Sequence, residues 1–205
     1  KVADNAAKNN KGHVAALMLA TAVQTRALKP SQVARKFLKY AKYAVKNNDR
    51  SAAASILAEG VKARVLKTRA VARKFIEYAK YENTHLPGLQ GIHDARKRKQ
   101  AQAALARFND PLIKGRTKLV ASILATGVNA GILTQAHSNA FTTLERAVYL
   151  QDDFEAAASI LASGFKAGAF KRSQVARKFI EYASYANGPT SAADMLTEGV
   201  KARAL

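Results

Sequence analysis

The sequence predicts an all-α protein built from repeated helical hairpins of about 35–38 residues, and three observations support this prediction. Residues 51–81 and 155–185 are near-copies of each other at a constant offset of 104. Within each copy, apolar residues recur four positions apart, as they do on one face of a helix. Alanine dominates the hydrophobic residues while aromatic residues make up 7% of the chain, and small side chains let helices approach closely. Two architectures fit such repeats, a short α-solenoid and a pseudo-symmetric helical bundle.

The repeat occurs in full, degenerate and partial copies along the chain. An earlier full copy ends in residues 31–43, at an offset of 38 from the second copy. A degenerate copy begins at Leu119, and a half-copy occupies residues 191–205. We therefore divide the chain into a polar N-terminal segment, two repeats, a basic connector that contains a helix, and two and a half further repeats. These segments are residues 1–11, 12–81, 82–117 and 118–205.

Each copy is predicted to form two helices joined by a short link. The first helix of the second copy, predicted over residues 53–66, places Leu57, Val61 and Val65 on one face. In the first copy, Pro30 is predicted to lie in the first turn of the second helix, where its missing N–H group costs little. Because short links favour antiparallel neighbours, each copy is expected to form a hairpin.

A glycine recurs at the same place in the predicted first helix of four copies, and the first copy has Ala22 there. A glycine inside a helix costs about 1 kcal/mol relative to alanine, so its recurrence suggests an offsetting gain. We predict that these glycines are helix-packing residues that let a neighbouring helix cross closely. The alternative is that a phosphate group approaches the bare backbone. The four glycines are Gly60, Gly127, Gly164 and Gly199.

The chain carries a large excess of positive charge, with 34 Lys and Arg against 14 Asp and Glu and a formal net charge of +20. Such an excess is typical of proteins that bind nucleic acid. The alternatives are an anionic protein or membrane surface, or no specific partner at all. Residues 1–100 hold 22 of the basic and 6 of the acidic residues, so the N-terminal half is the more basic one.

Two basic clusters are the candidate nucleic-acid-binding residues. Four cations in the second helix of the first copy share one predicted face with no acid among them, and they are Arg35, Lys39, Lys42 and Lys46. In the second copy, Glu77 replaces Lys39 and faces Arg73, which partly neutralises that surface. The other cluster lies in the connector and consists of Arg96, Lys97, Arg98 and Lys99. Because zinc-finger, RNP and KH signatures are absent, we expect contacts with the phosphate backbone rather than base reading.

The sequence contains no motif that indicates catalysis. A Gly-rich phosphate loop and a His-Glu-x-x-His pattern are both absent, and the four histidines are scattered. The chain has no Cys, which excludes disulfides and thiolate metal sites. No apolar run reaches the roughly 18 residues that a membrane-spanning helix needs. We therefore predict a protein that is not an enzyme, with no cofactor, no metal site and no membrane span.

Charge, repeats and the lack of catalytic motifs together predict a structural protein that contacts nucleic-acid backbone and other protein subunits inside a large assembly. Among such assemblies we favour a virus particle, with this chain as a phage-like capsid-interior or minor head protein located in the virion interior. The near-identical copies and a first residue other than Met, which fits precursor cleavage, motivate this choice. The alternatives are a protein-interaction scaffold and a basic subunit of a large ribonucleoprotein such as an organellar ribosome.

Overall fold

The computed structural model describes residue 3 and residues 11–84, 111–186 and 188–205. Within these ranges the chain forms nine α-helices and one short 3-10 helix, with no β-strand. The prediction of an all-α protein is therefore confirmed. The helices are α1 (Gly12–Gln24), α2 (Pro30–Lys46), α3 (Arg50–Lys62), α4 (Thr68–Thr84), α5 (Pro111–Asn129), α6 (Ser138–Tyr149), α7 (Phe154–Lys166), α8 (Arg172–Ser184) and α9 (Pro189–Lys201), and the 3-10 helix Gln135–His137 directly precedes α6.

The chain divides into two compact units. Unit 1 contains residues 1–78 and 129–132, and unit 2 contains residues 79–128 and 133–205. In unit 1, α1, α2 and α3 pack pairwise against one another. In unit 2, α7, α8 and α9 pack against one another in the same pairwise pattern, and α6 packs against α7.

Sequence-equivalent residues form the apolar core of both units. Ile56 and Leu57 of α3 are fully buried in unit 1, and their equivalents Ile160 and Leu161 of α7 are buried in unit 2. Phe37 of α2 is also fully buried, so its ring packs in the core. Burying each such side chain contributes roughly 1.5–3 kcal/mol to stability. These residues therefore stabilise the packing of the helices in each unit.

Equivalent helices also begin in equivalent ways. The Asp49 side chain accepts a hydrogen bond from the N–H of Ala52 at the start of α3, at 2.8 Å. The Asp153 side chain accepts the corresponding bond from the N–H of Ala156 at the start of α7, at 3.0 Å. Both bonds satisfy a backbone donor that the helix leaves unpaired. Helix α2 begins at Pro30, as predicted.

Four links of five residues connect successive helices, namely residues 25–29, 63–67, 130–134 and 167–171. The second residue of every link has a left-handed backbone, which reverses the chain after the helix. These residues, with the one that follows α9, are Arg26 (φ 60°), Arg64 (58°), Gly131 (67°), Gly168 (73°) and Arg203 (60°). The second link is closed by a hydrogen bond from the N–H of Leu66 to the carbonyl oxygen of Gly60, at 2.9 Å.

The left-handed residue at position 64 corrects one predicted boundary. Helix α3 ends at Lys62 instead of continuing to Leu66, because the chain reverses at Arg64. Val65 therefore lies in the link and does not continue the apolar face that contains Leu57.

Candidate nucleic-acid interface

The four predicted cations of α2 lie on one exposed face of the helix. Val33, Phe37 and Tyr40 are buried on the opposite side, and their burial fixes the orientation of α2 in unit 1. At 100° and 1.5 Å per residue, the four exposed cations occupy an arc of about 60° and extend over about 16 Å of the helix axis. We call this face the basic stripe, and it consists of Arg35, Lys39, Lys42 and Lys46.

Among the described residues, no carboxylate pairs with a cation of the basic stripe. No residue of α2 is acidic, and none of the four cations forms an ion pair with another described residue. Asp49, the first acid after the helix, accepts the capping hydrogen bond of α3. The ammonium group of Lys39 lies 5.6 Å from the ring centroid of Tyr43, a cation–π contact that leaves its charge available to solvent.

The equivalent helix of the next copy has a different charge arrangement. In α4, the Arg73 guanidinium and the Glu77 carboxylate form an ion pair at 3.0 Å between Nε and Oε1. The side chains are 89% and 52% exposed, so the pair adds little stability but reduces the local positive charge. Because Lys39 replaces the glutamate in α2, only the first copy has an uninterrupted row of cations.

The second predicted cluster, Arg96, Lys97, Arg98 and Lys99, lies outside the described residues. The segment assigned to the connector is helical at both described ends. Helix α4 continues to Thr84, and α5 begins at Pro111. The structure therefore places only the basic stripe, and the contribution of the connector cations stays a prediction.

The recurring glycines lie in the last turn of their helices and not in the middle. Gly60 is two residues before the end of α3 at Lys62. An added Cβ atom there would lie 2.7 Å from Cδ1 of Leu66 and 3.1 Å from Cδ1 of Phe37. The nearest neighbour is thus a side chain of the following link, and an aromatic ring of the preceding helix comes second.

Two other glycines have the same surroundings. A Cβ atom on Gly199 would lie 2.7 Å from Cδ1 of Leu205, and one on Gly164 would overlap the ring of Phe170. The rings of Phe179 and Phe141 take the place that Phe37 has beside Gly60. Gly127 is buried at the equivalent place in α5. The backbone at Gly60, Gly164 and Gly199 is therefore covered by side chains.

A buried carboxylate in unit 2 is a feature that the sequence analysis missed. Glu145 of α6 is 1% exposed. Its Oε1 atom accepts hydrogen bonds from the Tyr182 hydroxyl and, at 2.8 Å, from the Lys178 ammonium group. Phe141 lies where Phe37 lies in the first copy, and in that register Glu145 takes the place of the buried Ala41. Because both partners come from α8, this cluster ties α6 to α8.

The described part of the chain contains neither a metal-binding cluster nor a membrane-spanning helix. No group of three or more His, Asp or Glu residues within it is placed to hold a metal ion. None of its helices has the length and apolar character needed to cross a membrane. Comparison with protein-family models, curated proteins and solved structures finds no match to this chain.

Proposed function

We propose that this chain is a non-enzymatic structural protein that contacts the nucleic-acid backbone inside a large assembly. The observation that carries this proposal is the basic stripe, an exposed helix face with four cations and no acid. Lys and Arg side chains that neutralise phosphates release condensed counterions, which drives binding without regard to base sequence. The net charge of +20 supports the same partner.

The proposal includes a repeated-hairpin architecture, either a short α-solenoid or a pseudo-symmetric bundle. Two observations support it. The four five-residue links have a left-handed residue at the same place, and α1–α3 and α7–α9 share one pattern of pairwise packing. Stacked hairpins would give an extended surface on which nucleic acid and other subunits bind side by side.

Among large assemblies we favour the virion interior, with the chain as a capsid-interior or minor head protein. Strong positive charge suits packaged nucleic acid, and the near-identical copies suggest ready duplication within the chain. A basic subunit of a ribonucleoprotein particle would have the same charge and helical repeats. The virus particle and the ribonucleoprotein can be distinguished by measuring whether the chain binds DNA or RNA more tightly.

Fluorescence anisotropy with mixed-sequence duplex DNA and single-stranded RNA tests the proposal. The wild type is compared with a variant in which the four stripe residues become Gln. The matched control replaces four exposed lysines of unit 2 with Gln, namely Lys118, Lys166, Lys171 and Lys201. With about 0.9 units of salt slope per phosphate contact, four contacts predict a roughly 100-fold loss of affinity between about 50 and 200 mM salt.

We expect the stripe variant to lose most of this salt dependence and the control to keep it. The absence of wild-type binding at the lower salt concentration would overturn the proposal. Equal losses in the stripe and control variants would assign binding to the overall charge and reject the basic stripe as the site. Preference for duplex DNA would favour the virus particle, and preference for RNA would favour the ribonucleoprotein.

A protein-interaction scaffold is the second candidate function, and an apolar face on α1 favours it. Val14, Leu17 and Met18 lie at positions i, i+3 and i+4 and are each more than two-fifths exposed. Met18 is the equivalent of Ile56, which is fully buried. Exposed apolar faces mark interaction sites in many proteins. If the chain self-associates or captures subunits without nucleic acid, and Leu17→Asp with Met18→Asp abolishes this, the scaffold is favoured.

A further inference from the structure

The links that follow α1 and α3 contain arginines in a conformation that arginine rarely adopts. Arg26 and Arg64 have φ values of 60° and 58°, in the left-handed region that favours glycine. The equivalent links contain Gly131 and Gly168, so glycine satisfies the same backbone within this chain. Arg203, after α9, is the remaining case. Every copy that lacks glycine at this left-handed position therefore has arginine there. Asn and Asp would tolerate the left-handed conformation better.

Neither of the two arginines has a side-chain partner in the part of the chain that the structure describes. Both side chains are exposed, and neither forms a hydrogen bond or ion pair with a described residue. Non-glycine residues in the left-handed conformation are enriched at binding and active sites. The guanidinium groups are therefore free to bind a ligand outside the chain.

The charge of the links differs along the chain. Links 25–29 and 63–67 contain four cations and no acid, namely Arg26, Lys29, Arg64 and Lys67. Links 130–134 and 167–171 contain one cation between them, Lys171. The strained arginines therefore coincide with the two links that have surplus positive charge.

Both basic links lie at the end of unit 1 where α2 begins. Residues 25–29 lead directly into α2 at Pro30. At the end of α3, the Cβ position of Gly60 is 3.1 Å from Phe37, which lies in the second turn of α2. The link that contains Arg64 follows immediately, so it begins beside the N-terminal half of the helix that bears the basic stripe.

We propose that Arg26 and Arg64, with Lys29 and Lys67, form a second phosphate-binding site that contacts the same nucleic-acid backbone as the basic stripe. This inference rests on the proposed function. Arginine binds phosphate through two parallel N–H groups. Glycine at the same position of the link cannot make this contact. The chemical class of the ligand is a phosphodiester chain.

The test uses the double variant Arg26→Gly and Arg64→Gly, which removes two charges and relieves two strained residues. We expect its midpoint of urea unfolding to rise, because glycine adopts the left-handed conformation readily. We expect the slope of log affinity against log salt concentration to become shallower by about 2, one unit for each lost phosphate contact. A purely structural residue would change the first quantity and leave the second unchanged.

Two controls separate strain from charge. Asn48→Gly changes another left-handed residue of unit 1 (φ 58°) without changing charge, and we expect binding to stay constant. Lys118→Gln with Lys166→Gln removes two exposed charges from unit 2, and we expect its salt slope to match that of the wild type.

The outcomes distinguish this inference from the proposed function. A raised unfolding midpoint with an unchanged salt slope would overturn the second site, and the proposed function would stand if the stripe variant still lost affinity. An unchanged or lowered midpoint would overturn the premise that these arginines are strained. If the wild type does not bind nucleic acid, the proposed function fails and this inference fails with it.

Discussion

The Cδ1 atom of Leu66 lies 2.7 Å from the point where a Cβ atom on Gly60 would stand. Leu66 belongs to the link after α3, and its N–H donates a hydrogen bond to the carbonyl oxygen of Gly60 at 2.9 Å. One residue thus closes the end of the helix through both its backbone and its side chain. Because Gly60 has no side chain, the side chain of Leu66 can pack directly against its backbone.

Replacing these glycines with alanine is expected to destabilise the protein to different degrees. In Gly60→Ala the new methyl group meets the end of a leucine side chain that can rotate, whereas in Gly164→Ala it meets the rigid ring of Phe170. We expect a cost of about 1 kcal/mol or less for the first and about 2–3 kcal/mol for the second. Urea unfolding monitored by circular dichroism measures both.

Gly115→Ala is the matched control for these variants. Gly115 lies in α5, is exposed, and has nothing within 4 Å of its Cβ position. Alanine should therefore stabilise the protein there by about 0.5–1 kcal/mol through helix propensity alone. If Gly164→Ala is as stable as Gly115→Ala, the packing of Phe170 on the bare backbone is not important for stability.

Gly131→Ala isolates the cost of the left-handed conformation. The Cβ position of Gly131 is open, so steric overlap does not contribute, and its φ of 67° is the only obstacle. We expect a loss of about 1 kcal/mol in the free energy of unfolding. Arg203→Gly makes the reverse change at the equivalent place after α9, and we expect a gain of similar size. Equal stability of both variants and the wild type would contradict this account.

Removal of the buried carboxylate in unit 2 is expected to be costly. Glu145→Ala leaves the Tyr182 hydroxyl and the Lys178 ammonium group without their shared acceptor. We expect a loss of about 2–4 kcal/mol, and about half of that for Glu145→Gln, which keeps an acceptor for Tyr182. The exposed pair of Arg73 and Glu77 provides the comparison, since Glu77→Ala should cost about 0.5 kcal/mol or less. Thermal unfolding of the three variants gives the order, and similar losses for Glu145→Ala and Glu77→Ala would contradict it.

Stability is expected to fall at alkaline pH through Tyr78. Burial, and then the nearby Glu77 carboxylate, raise the pKa of Tyr78 above the ordinary tyrosine value of 10.0, while Arg50 opposes this shift. The folded state therefore holds the phenol proton more tightly than the unfolded state does. This contribution is complete below the unfolded pKa of about 10 and is lost as pH rises through the folded pKa.

Tyr78→Phe tests this linkage because it removes the titrating hydroxyl and keeps the ring. Urea unfolding midpoints of the variant should decline less steeply above pH of about 10 than those of the wild type. Tyr185→Phe, at a side chain that is 52% exposed, serves as the comparison. Parallel curves for the wild type and Tyr78→Phe would show that Tyr78 does not contribute.

Helix periodicity was sufficient to predict the all-α class and the residues that share the basic face of α2, and the preference of proline for the first helical turn predicted the position of Pro30. It failed at the end of α3, because nothing in an arginine side chain signals the left-handed backbone that Arg64 adopts. The place of Leu66 over Gly60 was missed for the same reason, since it requires that reversal. The burial of Glu145 was missed because a glutamate next to an arginine in a helix is typical of an exposed position. Its burial depends on the position of α8, which the sequence does not reveal.

Gly60 and Leu66 are only six residues apart, and this spacing has a consequence for the order of folding. Closing so short a loop costs little chain entropy, so the contact forms without any distant segment. Gly164 with Phe170 and Gly199 with Leu205 have the same spacing. We therefore expect each of these helices to acquire its end during the earliest events, before neighbouring helices dock. Local contacts of this kind are characteristic of proteins that fold rapidly.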